Sequence, residues 1–327
     1  MITEKTIDVV ITWVDGRDPL HRKKMSAYVK ETETAHEDVA APTRFFSEGE
    51  IYYCVASILR FAPFVRKIFI ITDEQNPDLV PFININFPDN RIPVVVVDHR
   101  VIFREYEAYL PTFNSLSIET CLFRIPGLAE NFVYFNDDFF LIREIKPTDW
   151  FQNDKPVAYG SMRSVQFDSF LRKIKPKKNG RKPFGFKDSM LNAAQVLNIH
   201  SSYFCIGHTP LPMKKSILEA YFPINPEIFI SNIAYKFRNE NQFNPQALFY
   251  LLALNDTMCI PVKENKLLFI KPAKKTSDYI ERKIKTFQRN ENLLFACAES
   301  VDMAAIDVRD RLFGWLKSLI NIKSVAQ

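Results

Sequence analysis

At 327 residues and 38.1 kDa, with 47% hydrophobic and 25% charged residues, the chain has core material for one large domain or two smaller ones. Gly is scarce (8) and Phe abundant (29), which excludes a low-complexity chain, and a net charge of +5 is too mild to make nucleic acid the partner. Cys54, Cys121, Cys205, Cys259 and Cys297 are odd in number and far apart with no C-x-x-C spacing, which excludes a zinc ribbon and a disulfide framework.

The chain opens with MITEKTIDVV, which has no signal-peptide character, and no apolar run reaches the roughly 18 residues of a membrane span, so a reducing cytoplasmic compartment is expected. Four short β-branched runs then read as buried strands: IDVVITWVD (7–15), KIFIITD (67–73), PVVVVD (93–98) and NFVYFNDD (131–138). Each ends in an acid: Asp15, Asp73, Asp98, and Asp137 with Asp138. Ligands of open α/β sheets bind outside the carboxyl ends of the strands, so these acids are expected to converge on one crevice. Helices lie between the strands. SEGEIYYCVASILRFAP carries a capping box at Ser47 and Glu50 and an apolar face at Ile51, Val55, Ile58 and Leu59. NSLSIETCLFRIPGL is capped by Asn114 or Ser115 and ends at Pro126-Gly127. The alternation implies an α/β fold, a mostly parallel sheet with helices on both faces.

Beyond residue 145 the pattern loosens towards a mainly helical C-terminal part. Residues 163–187 hold nine Lys or Arg against one acid, Asp168, which suits a solvated loop or a clamp for a polyanionic chain. Helices are expected at 187–199 and 245–254. The stretch 301–319 puts Val301, Ala305, Val308, Leu312, Trp315 and Leu319 on one face for core packing, while Lys317 and Lys323 leave room for peripheral contact with a membrane surface.

Adjacent carboxylates resist desolvation, so Asn136-Asp137-Asp138 between aromatics needs a wet cleft or a cation. In WVDGRDP, Asp15 and Asp18 sit on a tight turn that Gly16 permits. His99, in DHR, is a base, a metal ligand or a satisfied buried histidine. His208, in CIGHTP, is a candidate general base, because neutral imidazole accepts a hydroxyl proton near pH 7. Arg44 and Arg238 sit among aromatics, where a guanidinium suits phosphate contacts or a local acid. No G-x-G-x-x-G, P-loop, G-x-S-x-G or H-E-x-x-H occurs, so the common nucleotide-binding fingerprints are absent, the simplest hydrolases are removed, and any nucleotide would have to be held by acids, metal and strand-end loops.

IDVVITWVDGRDP resembles the first conserved block of the Stealth proteins. RFFSEGEIYYCVASILRFAPFVRKIFIITDEQNP, VVDHRVIF and LPTFNSLSIETCLFRIPGLAENFVYFNDDFFL look like the second. GHTPLPMKKSILEAYF with KFRNENQFNPQALFYLLAL is similar to the third. The fourth departs: the family shows a Cys followed shortly by an Asn-Asp pair, whereas Glu299 and Ser300 follow Cys297, leaving Glu299 or Asp302 as the substitute. The family contains bacterial capsule and exopolysaccharide phosphotransferases and the catalytic subunit of the lysosomal-enzyme N-acetylglucosamine-1-phosphotransferase.

The resemblance implies a Rossmann-like, GT-A-related core, a divalent metal (Mg²⁺ or Mn²⁺), and transfer of a sugar 1-phosphate from a UDP-sugar to an acceptor sugar hydroxyl, releasing UMP. Asp137 and Asp138 would hold the metal with Asn136 orienting them, and Asp15 and Asp18 would position donor or metal. His208 would be the base, and Arg238 with Arg44 would meet the phosphoryl oxygens. Asp73, His99 and Asn114 are the further substrate contacts expected. A single catalytic domain would divide into a nucleotide-sugar-binding core (1–145) and an acceptor-side extension (146–327). The basic insert would grip an anionic glycan acceptor. Two rivals are a metal-dependent glycosyltransferase releasing UDP and a non-catalytic glycan-binding protein.

Overall fold

The computed structural model describes residues 6–29, 47–176, 184–263 and 266–323. The first half runs β1 (Ile7–Thr12), α1 (Pro19–Val29), α2 (Glu50–Phe61), β2 (Lys67–Thr72), α3 (Leu79–Asn86), β3 (Val94–Asp98), α4 (His99–Ile102), α5 (Ser115–Thr120), β4 (Asn131–Asn136) and β5 (Phe139–Leu141). It continues through α6 (Pro147–Trp150), β6 (Phe151–Gln152), β7 (Lys155–Ser164), α7 (Val165–Ile174), α8 (Phe186–Val196), β8 (Ser202–Ile206) and β9 (Leu211–Lys214). The last part holds α9 (Lys215–Ile224), α10 (Pro226–Ile233), α11 (Pro245–Asn255), β10 (Ile260–Val262), β11 (Leu267–Ile270), α12 (Ser277–Arg289), β12 (Phe295–Ala298) and α13 (Ile306–Ile320).

The four expected strands form the main sheet in the order β3-β2-β1-β4, mutually parallel, with β9 antiparallel beyond β4. β1 is buried on both faces: Val9 and Ile11 enter one core, with α2, α3, α12 and α13, and Val10 enters the other, with α8 to α11. Its start is pinned by fully buried Asp8, which accepts from Arg66 Nε at 2.8 Å and Ala129 N at 2.7 Å. Because β2 lies on one side of β1 and β4 on the other, the crossovers diverge there and leave a crevice at the carboxyl ends of these strands.

Several local expectations shift. α2 begins at Glu50 with Gly49, at φ 93°, as its N-cap; the Ser47 hydroxyl instead accepts from Gly49 N (3.3 Å) and donates to Glu50 (3.1 Å). Asn114 does cap α5, accepting from Leu116 N at 3.2 Å. β3 is the sheet edge, and Val95 and Val96 are exposed, so a run of valines that reads as buried is half wet. The C-terminal part carries α8 and α11 near the expected positions, but also the strands β6 to β12, of which β7 runs for ten residues and the rest are short. β12 pairs with β5, and both cores draw on residues before and after 145. α13 packs inward through Val308, Leu312, Leu316 and Ile320, whereas Trp315 and Leu319 of the expected face are half-buried and Ala305 is exposed. Among the described residues no helix is long and apolar enough to cross a membrane.

Candidate active site

A cavity of about 540 Å³ opens at the divergence point. Its floor is the ends of β1, β2 and β4: Thr12, Asp73 and Asn136. The walls come from the start of α5 (Asn114, Ser115), the start of α8 (Phe186), the loop between β8 and β9 (Gly207, His208), Arg238, and the turn after β12 (Glu299, Asp302). Such size and position suit a small-molecule site.

Asp137 and Asp138 occupy the tight turn joining β4 to β5, both half-buried. Burial pushes the Asp137 carboxyl well above its usual range, reinforced by Asp138 and Glu50; burial and then Glu50 lift Asp138 to about 7. The largest influences on either carboxyl include no lysine or arginine. Asp138 Oδ2 lies 3.7 Å from the Cys297 thiol, while its buried Oδ1 has no hydrogen-bond partner among the described residues. An orphaned carboxylate oxygen beside a second uncompensated acid fits a divalent cation. Among the described residues no three His, Cys, Asp or Glu side chains form a ready-made cage.

Asn136 Oδ1 lies 2.6 Å from the Tyr134 hydroxyl, which also reaches Thr12 Oγ1 (2.9 Å) and Glu119 Oε1 (3.1 Å) beneath the floor. His208 is held between the Phe186 and Phe269 rings, at centroid distances of 4.9 and 5.3 Å. Burial lowers its pKa, with Glu299 opposing and Lys271 assisting, so the imidazole is neutral at pH 7. Arg238 Nη2 donates to Ser115 Oγ at 2.7 Å and is the main favourable charge for buried Glu119, whose carboxyl nonetheless stays raised by burial.

Asp73 lines the cavity and accepts from Lys24 Nζ at 3.1 Å. His99 lines it too; burial lowers this imidazole to about 4, and its Nδ1 has no hydrogen-bond partner among the described residues. Asn114 is also in the wall, but its amide is committed, donating to Gln242 Oε1 (2.8 Å) and Tyr235 O (3.2 Å). Asp15 and Asp18 do not line the cavity. Asp15 Oδ1 accepts from Arg17 N (2.8 Å), and Asp18 accepts from Leu20 N (2.8 Å) and Gln75 Nε2 (2.9 Å), so both hold the turn into α1. Asp98 likewise caps α4, leaving two of the four strand-end positions facing the crevice. Arg44, and residues 177–183 of the basic insert, lie outside the described residues.

Two further acids appear only in three dimensions. Glu50 and Glu119, both buried, line the cavity from the start of α2 and from α5. The available signal was a carboxylate on the buried side of an otherwise apolar helix. Glu299 and Asp302 line the cavity as well, Glu299 paired with Lys271 at 3.0 Å.

Residues 5–33 match "Stealth protein CR1, conserved region 1", and residues 44–158 match "Stealth protein CR2, conserved region 2". Over 245 residues the chain is 34% identical to the capsular polysaccharide phosphotransferase cps1A of Actinobacillus pleuropneumoniae, covering 74% of this chain and 64% of that protein. Over 259 residues it is 31% identical to the capsular polysaccharide phosphotransferase WcwK of Streptococcus pneumoniae, covering 73% of this chain and 75% of that one. Among solved structures, the galactosyltransferase LgtC with donor and acceptor sugar analogues aligns over 98% of both chains at 11% identity and a TM-score of 0.49, a likeness too slight to carry function.

Proposed function

The chain belongs to the Stealth family, and from that premise we propose that it is a polysaccharide phosphotransferase. It would move a hexose or N-acetylhexosamine 1-phosphate from a UDP-sugar to a glycan hydroxyl, releasing UMP. The chain spans just under two thirds of cps1A, so the activity assigned is that of the shared portion. The observation that carries the reading is the pairing, in one cavity, of two uncompensated carboxylates with a neutral histidine and an arginine.

Asp137 and Asp138 would hold Mg²⁺ or Mn²⁺, which when bound supplies charge neutralisation at the donor pyrophosphate. Neutral His208 takes the acceptor hydroxyl proton as that oxygen bonds to the phosphorus nearer the sugar. The bond from this phosphorus to the bridging oxygen breaks, and UMP leaves with the electron pair. Arg238, steadied by Ser115 and Glu119, faces the charge on the phosphoryl oxygens. The sugar C1–O bond is untouched, so the anomeric configuration is retained. Phe186 and Phe269 keep the imidazole in one plane, which suits a reaction limited by alignment.

Removing the base should cost about 10²–10⁴-fold in kcat, and His208→Ala is expected within that range. Because burial lowers the His208 pKa, the wild-type rate should hold through neutral pH and fall only below 6.5 as the imidazole protonates. Full activity in the variant, or a rate that rises on acidification, would remove His208 from the mechanism.

A further inference from the structure

The helix α7 shows an apolar face that no part of the described structure covers. Phe167, Phe170 and Ile174 recur at helical spacing and are 57%, 58% and 59% exposed, and Met162, at the end of the preceding strand, is exposed beside them. The opposite side of the helix is anchored: Val165 is buried, and the Ser164 hydroxyl accepts from Phe167 N at 3.2 Å. Contiguous apolar exposure of this kind marks a surface for contact.

The charges around the stripe are sorted. Asp168 turns inward, bound by Arg163 (2.7 Å) and the Tyr203 hydroxyl (2.9 Å). Asp188 is buried, with Lys175 Nζ at 3.0 Å and the Gly185 amide at 2.9 Å. The described basic residues beside the stripe are Arg172, Lys173, Lys175 and Lys187, of which Lys173 and Lys187 are exposed. The surface presented outward is therefore aromatic and aliphatic, rimmed by positive charge.

We infer that α7 docks this protein on an anionic lipid bilayer, with Phe167, Phe170 and Ile174 entering the headgroup–acyl boundary and the basic rim meeting the lipid phosphates. A second copy of the chain is disfavoured, since two such faces would bring like charges together. A glycan chain has no use for Ile174 and Met162. The face adjoins the active cavity: α7 ends where Lys175 grips Asp188 of α8, and Phe184, Gly185 and Phe186 at the start of α8 line the cavity wall. Docking would hold the cavity mouth near the lipid surface. The inference does not depend on the phosphotransfer reading.

The test is flotation of the full chain with vesicles of phosphatidylcholine alone and with roughly one third phosphatidylglycerol added. The wild type should float with the anionic vesicles only, and high salt should weaken that binding. The triple variant Phe167→Ser, Phe170→Ser, Ile174→Ser should lose about tenfold or more of the bound fraction while keeping its circular dichroism spectrum. Lys173→Glu should lose part of it without touching the apolar stripe. Equal flotation of triple variant and wild type would overturn the inference. So would absence of vesicle binding, whether the face then proved to mediate self-association in sedimentation or to retain an anionic polysaccharide.

Discussion

Asp138 has two oxygens in unlike surroundings: Oδ2 meets the Cys297 thiol, and buried Oδ1 has no hydrogen-bond partner among the described residues. That asymmetry suits an Asp-Asp pair set between buried aromatics, a placement that is costly unless a cation completes it. The dyad was legible because adjacent acids at a strand end are conspicuous. Glu50 and Glu119 were not, because a single acid on a helix reads as a cap or a solvated position until its neighbours in space are known. At the same scale, His99 supplies a stability prediction. Its imidazole stays neutral in the folded protein down to about 4, against an ordinary 6.5, so between those values the unfolded chain binds a proton that the folded one does not. Stability from this group is therefore lost as pH falls through that window. Urea unfolding at pH 7 and pH 5 should show His99→Gln losing about 1–2 kcal/mol less than the wild type over that interval. Identical losses would show that His99 titrates normally in the fold.

Among the elements, β1, β2, β3 and β4 were readable as short β-branched runs, and their parallel order follows from the helices between them. The edge position of β3 was not, because Val-rich runs look alike whether one face or both are covered. β8, β9 and β12 escaped notice since three-to-five-residue strands leave too little pattern, yet the turns after them deliver His208 and Glu299 to the cavity. α5 is the element whose start matters most. Asn114 caps it and spends both amide hydrogens on Gln242 and Tyr235, tying α5 to the loop that carries Arg238. Asn114→Ala removes a cap and one of the two hydrogen bonds to the buried Gln242 oxygen, which keeps only the Asn239 amide at 2.9 Å; together these losses should cost about 1–3 kcal/mol of stability in denaturant unfolding. A loss confined to donor binding, with unfolding unchanged, would instead make Asn114 a direct substrate contact.

For the molecule as a whole, the cavity is assembled from strand ends, helix starts and loops spread from Thr12 to Asp302, so no local window of sequence contains it. What the sequence carried was the set of strand-end acids and the conserved-block resemblance; what it lacked was which acids turn inward. Asp15, Asp18 and Asp98 are consumed by turns and caps, whereas Asp73, Asp137 and Asp138 face the crevice. The central claim, that this crevice transfers a sugar phosphate, is a statement about which bond breaks. It is tested most directly by incubating the purified protein with Mg²⁺, a panel of UDP-sugars and a short capsular glycan, and following nucleotide and ³¹P signals together. The account predicts UMP and a new phosphodiester resonance in equal amounts; UDP with no phosphodiester would contradict it, because the sugar C1–O bond would then be the one cleaved.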